Sequence, residues 1–508
     1  MEIRSYLETV IDQPPSCLEF CPLNPSCFVV GTYKLKADQT SDATTQKEAV
    51  QARSGSVELY QITFRRDDMS PRAFALSRGE RVNLPEASVL DLHFHPQDCD
   101  LLAICTSSSQ LVFFRIDRTS SGKLHFHEAG TYQMQTDATI LATSFAWSNN
   151  DLTSTASRYS FAVLFSSGEV RLVFLRQEDV SKSRINDSTL LAQCSIEPAH
   201  SLEAWTVALH DQRDNRRIFL LTGGDDSVLT LNSFTEQNQG KIATTQLFRD
   251  RRSHAAGVTA ILPITFQVEN WGTSPPLIYL TGSYDEYLRC FMAQDNNAGI
   301  PLRAQLLSQI RLHGGVWRLK QVGETMHEVH AHDGESISTI IILACCMHVG
   351  VRIVQLSRRY HRDQPSSCLD EWQLQVVARF TQGHESMCYA ADWVESKKVL
   401  TPLSCNEGVI GAESDNIGKK DENHSNSTAE LLQQHVLSAD ADADAVVALW
   451  TDLLVASTSF YDRKISIWTF PLGRDDDDND DENNDGHNCN DNSSGKNSID
   501  TIERGDTV

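Results

Sequence analysis

The chain has 508 residues, 40% of them hydrophobic, enough to bury substantial cores and to exclude a chain disordered throughout. Sixty-eight acidic residues against 44 basic ones give a formal net charge of −24. That balance argues against non-specific nucleic-acid binding, which needs clustered Lys and Arg, and suits a basic protein partner or a cationic substrate group. The 13 cysteines are scattered and form no disulfide-dense framework or paired C-x-x-C zinc arrangement, so reduced, mostly buried thiols are expected. The stretch Met1 to Val10 holds acids and lacks a basic region followed by an apolar run, and no apolar stretch is long enough to cross a bilayer. A cytoplasmic protein without a membrane partner is expected, and the N-x-S/T matches near Asn426 then carry little weight.

Taken in chain order, the apolar runs are short, rich in Val, Ile, Leu and Phe, and broken by Gly, Asp, Ser and Pro, which is strand-and-turn punctuation. The first unit reads Cys17 to Pro22, Cys27 to Tyr33 and Ser56 to Ile62; the second Val89 to Pro96, Leu101 to Thr106 and Gln110 to Ile116. Ser144 to Trp147, Ser160 to Phe165 and Glu169 to Leu175 make the third, and Ala204 to Leu209, Ile218 to Thr222 and Val228 to Phe234 the fourth. The fifth has Val258 to Leu262, Leu277 to Thr281 and Tyr287 to Phe291; the sixth Val316 to Lys320, Ile340 to Ala344 and Val351 to Leu356. The last has Cys388 to Trp393, a middle strand within Val446 to Ala456, and Lys464 to Phe470.

Seven similar units predict an all-β chain, a seven-bladed propeller of the WD-repeat type spanning residues 1–470. The unit starts lie farther apart than the roughly 40 to 45 residues of a usual propeller repeat. Polar insertions near 34–53 and 403–444 account for part of the excess, since long surface loops cost little closure entropy. The tail from 471 to 508 holds twelve acids from Asp475 onward against Lys496 and Arg504 and is expected to be a disordered, solvated segment. The last unit then lacks an outer strand. The strand-like segment Glu2 to Glu8 can supply it and close the ring, protecting an otherwise open sheet edge.

In such a fold the second-to-third-strand turns and the loops entering first strands emerge on one face. The turns include Thr222-Gly-Gly-Asp-Asp226, Thr281-Gly-Ser-Tyr-Asp-Glu286, Cys346-Met-His-Val-Gly350 and Ser459-Phe-Tyr-Asp462; the loops begin at His254, His313 and His384. A turn aspartate bonding the entering histidine is the ordinary structural use of this pattern, and for Asp225, Asp285, His254 and His313 it is the first expectation. Trp317 and Trp393 read as blade-packing residues. Trp205, at the start of a first strand, is placed to line the central mouth, where aromatic faces and carboxylates suit a quaternary ammonium group. No G-x-S-x-G elbow, P-loop or dinucleotide-binding glycine pattern occurs. The cluster His327, His330 and His332 fits a polar inter-strand loop better than a metal site, and Asp475 to Glu482 lacks the glycine-turned loop of a calcium site, so no metal is expected.

At these turns the chain resembles the diphthine methyl ester hydrolases, also called diphthine methyltransferases, WD-repeat proteins of diphthamide biosynthesis. The resemblance is carried by Cys21-Pro22 with Gly31-Thr-Tyr-Lys-Leu35, Glu203-Ala-Trp205, Gly223-Gly-Asp-Asp226 and Thr281-Gly-Ser-Tyr-Asp-Glu286. Further along it includes Gly314-Gly-Val-Trp-Arg-Leu-Lys320, Ala344-Cys-Cys-Met-His-Val-Gly350, Tyr389-Ala-Ala-Asp-Trp393 and Ser459-Phe-Tyr-Asp462. The usual Trp-Asp ending is weak, with Trp468 its clearest trace.

The resemblance implies hydrolysis of the methyl ester of trimethylated diphthine on elongation factor 2, yielding diphthine and methanol before amidation. It implies no organic cofactor, elongation factor 2 as the protein substrate, and other proteins of the pathway as possible partners. For ester hydrolysis, His254, His313, His348 or His384 are candidate general bases for direct attack by water, with Asp285 as a supporting carboxylate; a serine or cysteine acyl intermediate is the alternative. Gly314 and Gly315 are weak candidates for oxyanion contacts. Trp205, Asp225, Asp226, Glu286 and Asp392 are candidates for binding the substrate. The rival expectation is a non-catalytic scaffold for translation or ubiquitin machinery, since the fold alone does not fix function.

Overall fold

The computed structural model describes residues 1–36, 51–64, 74–119, 123–148, 158–186, 189–197, 200–212, 217–236, 242–264, 276–293, 304–327, 335–361, 370–400 and 452–472. Within Met1–Leu472 the strands form seven antiparallel sheets, the blades of a propeller. The first strands, which line the axis, are Pro15–Phe20, Val89–Phe94, Ala142–Trp147, Ala204–Gln212, Val258–Ile264, Arg318–His327 and Cys388–Glu395. In the seventh blade the middle strand is Asp452–Ser459, inside the segment expected from sequence but starting later.

The blades cohere because both faces of each second and third strand are apolar. Seven buried clusters lie between successive blades, such as Val29, Val57, Leu102 and Ile104 between the first two. Glycines at the ends of second strands let the blades approach closely: a Cβ on Gly31 or Gly223 would come within 2.6 Å of Val89 or Val258 of the next blade.

The seventh blade is completed by Leu7–Val10, paired antiparallel with Lys464–Pro471 in the register Leu7 to Ile467. The closing strand starts later than Glu2 to Glu8. Glu2 instead bridges Arg379, and the Ile3 N–H donates to the Arg379 carbonyl at 2.8 Å, so the first residues extend the sixth blade. The segment thus straddles two blades and ties both to the chain start. Lys34–Leu35 pairs with Arg53–Ser54 at the base of the first insertion, whose residues 37–50 lie outside the described ones. So do the segment 403–444, the acidic tail, Asn426, His330 and His332. No described helix is long and apolar enough to cross a membrane.

Candidate functional site

A repeated irregularity builds the channel mouth. In six blades the first strand skips one residue in its pairing with the second: Ser16, Leu90, Thr143, Trp205, Thr259 and Tyr389. A bulge re-aims the unpaired side chain, and Trp317 stands at the matching position of the sixth blade, directly after the Val316 that packs on Gly282. Three of the seven carry hydroxyls that bind the next blade. Ser16 Oγ donates to Val89 O at 2.7 Å, Thr143 Oγ1 to Ala204 O at 2.5 Å and Thr259 Oγ1 to Val316 O at 2.5 Å.

The aromatic members gather on one side. Trp205 and Trp317 have ring centroids 5.6 Å apart, Trp317 and Tyr389 5.1 Å, and Tyr389 and Phe460 4.9 Å, with Tyr284 6.2 Å from Trp317. Trp317 is therefore a wall of the mouth and not only a blade-packing residue. Trp393, by contrast, packs in the core between blades six and seven and donates to Gln321 O at 2.9 Å. Beside this aromatic group sits Asp225. Its Oδ1 and the Trp205 Nε1 are both buried and make no well-aligned hydrogen bond, though the indole lies close enough to act on the carboxyl. Burial pushes the Asp225 carboxyl above the usual carboxylate range, against the pull of the Trp205 indole and with a further push from Glu203 and Asp226.

Beneath the ring a charged network occupies one side of the channel. Glu19, Asp91, His93, Arg318, Lys320 and Asp392 come from blades one, two, six and seven, which are contiguous. Arg318 Nη1 meets Asp91 Oδ1 at 2.7 Å, and His93 bridges Asp91 at 3.3 Å and Glu19 at 3.0 Å. Lys320 Nζ lies 3.5 Å from Glu19 and 3.3 Å from Asp392. Burial opposes the charge on Asp91, yet Arg318 and His93 hold its carboxyl well below the ordinary range. Burial likewise opposes a proton on His93, but Asp91 and Glu19 outweigh it and raise the imidazole to about 9. Opposite this network, Thr143, Ala146, Thr206, Ala208 and Ala260 face a cavity of about 330 Å³ that also touches Trp205, Trp317, Arg318 and Lys320.

The residues expected from sequence divide into two groups. His254, His384, Asp226, Asp285 and Glu286 serve the frame of the propeller. His254 Nε2 lies 2.8 Å from Thr281 Oγ1, and burial drives its imidazole down to about 4. His384 is buried, with Nδ1 3.2 Å from Gln382 O, and burial lowers it too. Asp226 holds His200 at 2.9 Å, and His200 in turn bonds Thr222, the histidine–aspartate turn expected for this fold but with His200 as the histidine. Asp285 does not pair with His254; it accepts the Ala255 N–H at 3.0 Å and pairs with Arg289 at 2.9 Å. Glu286 pairs with Arg311 at 2.9 Å.

Trp205 and Asp225 meet at the mouth, while Asp392 sits deeper, accepting the Phe20 N–H at 2.8 Å. His313 and His348 are exposed on the rim. Gly314 and Gly315 seat the His313 loop against the 346–350 turn, with Gly315 between Tyr284 and Met347. Glu19, Asp91, His93, Arg318 and Lys320 were not foreseen. Their signal was present as alternation, Asp91-Leu-His93 and Arg318-Leu-Lys320, which puts both charges of each pair on one face of a strand.

A larger open groove of about 660 Å³ lies on the flank of blades two and three, lined by Asp98, Asp100, Arg115 and Tyr159. Its charges are spent on one another, with Arg115 2.7 Å from Asp98 and 2.6 Å from Asp100. Among the described residues no group of three or more His, Cys, Asp or Glu is placed to hold a metal ion.

Fold and site together define a seven-bladed WD-type propeller whose channel mouth sets aromatic faces beside a carboxyl. In sequence the chain is similar to proteins named diphthine methyltransferase. It is 25% identical to the diphthine methyltransferase of Schizosaccharomyces pombe over 394 residues, covering 77% of this chain and 92% of the relative. With that of Saccharomyces cerevisiae it shares 24% over 409 residues, 75% of this chain and 91% of the relative. With the Homo sapiens protein it shares 24% over 382 residues, 74% of this chain and 71% of the relative. No protein-family model matches the chain. Among solved structures, Sqt1 from Chaetomium thermophilum is similar, with a TM-score of 0.42 and 11% identity over 78% of each chain.

Proposed function

We propose that the chain hydrolyses the methyl ester of the trimethylated diphthine intermediate on elongation factor 2, releasing methanol and leaving diphthine for amidation. The names of its relatives support a role in diphthamide biosynthesis. The observation that carries the reading is the mouth, where Trp205, Tyr284 and Tyr389 pack around Trp317, Trp205 and Trp317 line the cavity, and the Asp225 carboxyl sits beside Trp205. Aromatic faces and a carboxylate are what a trimethylammonium group selects, through cation–π and Coulomb attraction in a partly dry site.

The chemistry needs a base for water. Asp225, with its carboxyl raised by burial, is poised to take a proton as water adds to the ester carbonyl carbon. The tetrahedral intermediate then expels methoxide, which leaves as methanol after receiving that proton. We assign a share of this work to the imidazoles of His313 and His348, whose side chains are exposed.

The test is incubation of the purified protein with the methyl-ester form of elongation factor 2, read by mass spectrometry. Wild type removes one methylene equivalent. Trp205→Ala raises KM and Asp225→Asn lowers kcat by about 100-fold, the usual worth of a positioned base. Well-folded protein that produces no mass change overturns the reading and leaves a binding scaffold.

A further inference from the structure

Arg318 reaches across the channel. Its strand belongs to blade six, yet its guanidinium meets Asp91 at 2.7 Å and points Nη2 at Leu90 O, 3.4 Å away, both on blade two. Leu90 is the bulged residue of its blade, so the guanidinium lies at the level just below the ring that carries Trp205 and Trp317. It forms the floor under the aromatic mouth and borders the cavity. A guanidinium has five N–H donors. Nη1 is held by Asp91, Nη2 makes one long contact, and Nε is buried with no partner.

The Arg318 side chain is 27% exposed and borders the cavity, so an acceptor oxygen arriving there can take the Nη donors that Asp91 leaves free. The surroundings tolerate such an oxygen. Asp91 is shared between Arg318 and His93, Glu19 between His93 and Lys320, and Asp392 faces Lys320 alone. Three cations therefore face three carboxyls, and burial pushes the Asp392 carboxyl up toward its neutral form.

We infer that Arg318 binds the carboxyl end of a ligand whose quaternary ammonium rests in the cavity against Trp205 and Trp317 above it. The channel is then a receptor for betaine-type zwitterions, with the ammonium and carboxylate on the same carbon. This rests on the esterase reading for its biological ligand, because the acid left by ester hydrolysis is such a zwitterion. In that reaction the same donors meet the carbonyl oxygen as it gains charge, and they hold the product afterwards. A product held by a full charge pair dissociates slowly and competes with the ester.

The test uses the full chain and four small probes: glycine betaine, its methyl ester, choline and acetate, followed by the fluorescence of Trp205 and Trp317 against a Trp205→Phe control. Glycine betaine is expected to bind about tenfold more tightly than choline, one charge-assisted contact's worth, and acetate not to register. Arg318→Lys keeps a cation for the fully buried Asp91 but loses the planar fork, so the ratio of betaine to choline affinity falls toward one while choline affinity holds. A purely structural role for Arg318 would weaken both probes together. Equal binding of choline and betaine to the wild type overturns the inference and needs no variant. Betaine binding without turnover of the elongation-factor ester leaves the receptor standing and removes the esterase reading; turnover without betaine preference does the reverse.

Discussion

At neutral pH His93 carries a proton, because Asp91 and Glu19 flank its ring and raise it to about 9 from an ordinary value of 6.5. Its bound proton adds stability that is complete below pH 6.5 and is lost as pH rises through about 9. His95 has the opposite sign: burial lowers it to about 4, and its Nδ1 accepts the Gln97 and Asp98 N–H groups, so it must stay neutral. That term declines as pH falls from 6.5 toward 4. The thermal midpoint is therefore expected to sag on both sides of neutrality, and His93→Gln to flatten the alkaline limb without touching the acid one. An unchanged alkaline limb in the variant would show that the charge network does not depend on that proton. The sequence disclosed the aromatic and acidic mouth at Trp205 and Asp225 because both follow turn motifs. It hid the charged layer, because Glu19, Asp91 and Arg318 lie within strands and look like ordinary polar alternation until the blades are arranged around an axis.

Among the elements, the bulge at the start of the first strand in six of the blades matters most. It turns Ser16, Thr143 and Thr259 toward the neighbouring blade and Trp205 and Tyr389 toward the mouth. Strand periodicity located the first strands of most blades to within a few residues, yet a one-residue skip leaves no compositional mark, so which face each side chain takes was not legible. The hydroxyl links give a direct check. Thr143→Val keeps the shape but strands the Ala204 carbonyl, and is expected to cost about 1–2 kcal/mol in urea denaturation. Thr131→Val, at an outer strand of blade two, removes only an exposed contact to Glu128 and is expected to change stability by less than about 0.5 kcal/mol. Similar losses for both would deny the inter-blade bond any special weight.

For the whole molecule, seven units and a displaced closing strand followed from repetition alone, since no single blade can bury its faces without neighbours. What repetition could not give is that the start of the chain divides its pairing between blades six and seven. Removing residues 1–10 bares the edge of Lys464–Pro471 and breaks the Ile3 link as well. The shortened protein is expected to melt at lower temperature and to aggregate on concentration, measured by calorimetry and light scattering. Truncation after Leu472, which leaves every described strand intact, is expected to leave the midpoint unchanged.

The pairing of Leu7–Val10 with Lys464–Pro471 also orders events at the ribosome. Among the strands of the ring, the first to emerge must wait for the last before either is satisfied. Through most of translation the strand Leu7–Val10 therefore has no partner strand, and the ring locks in one late step when the two distant segments meet.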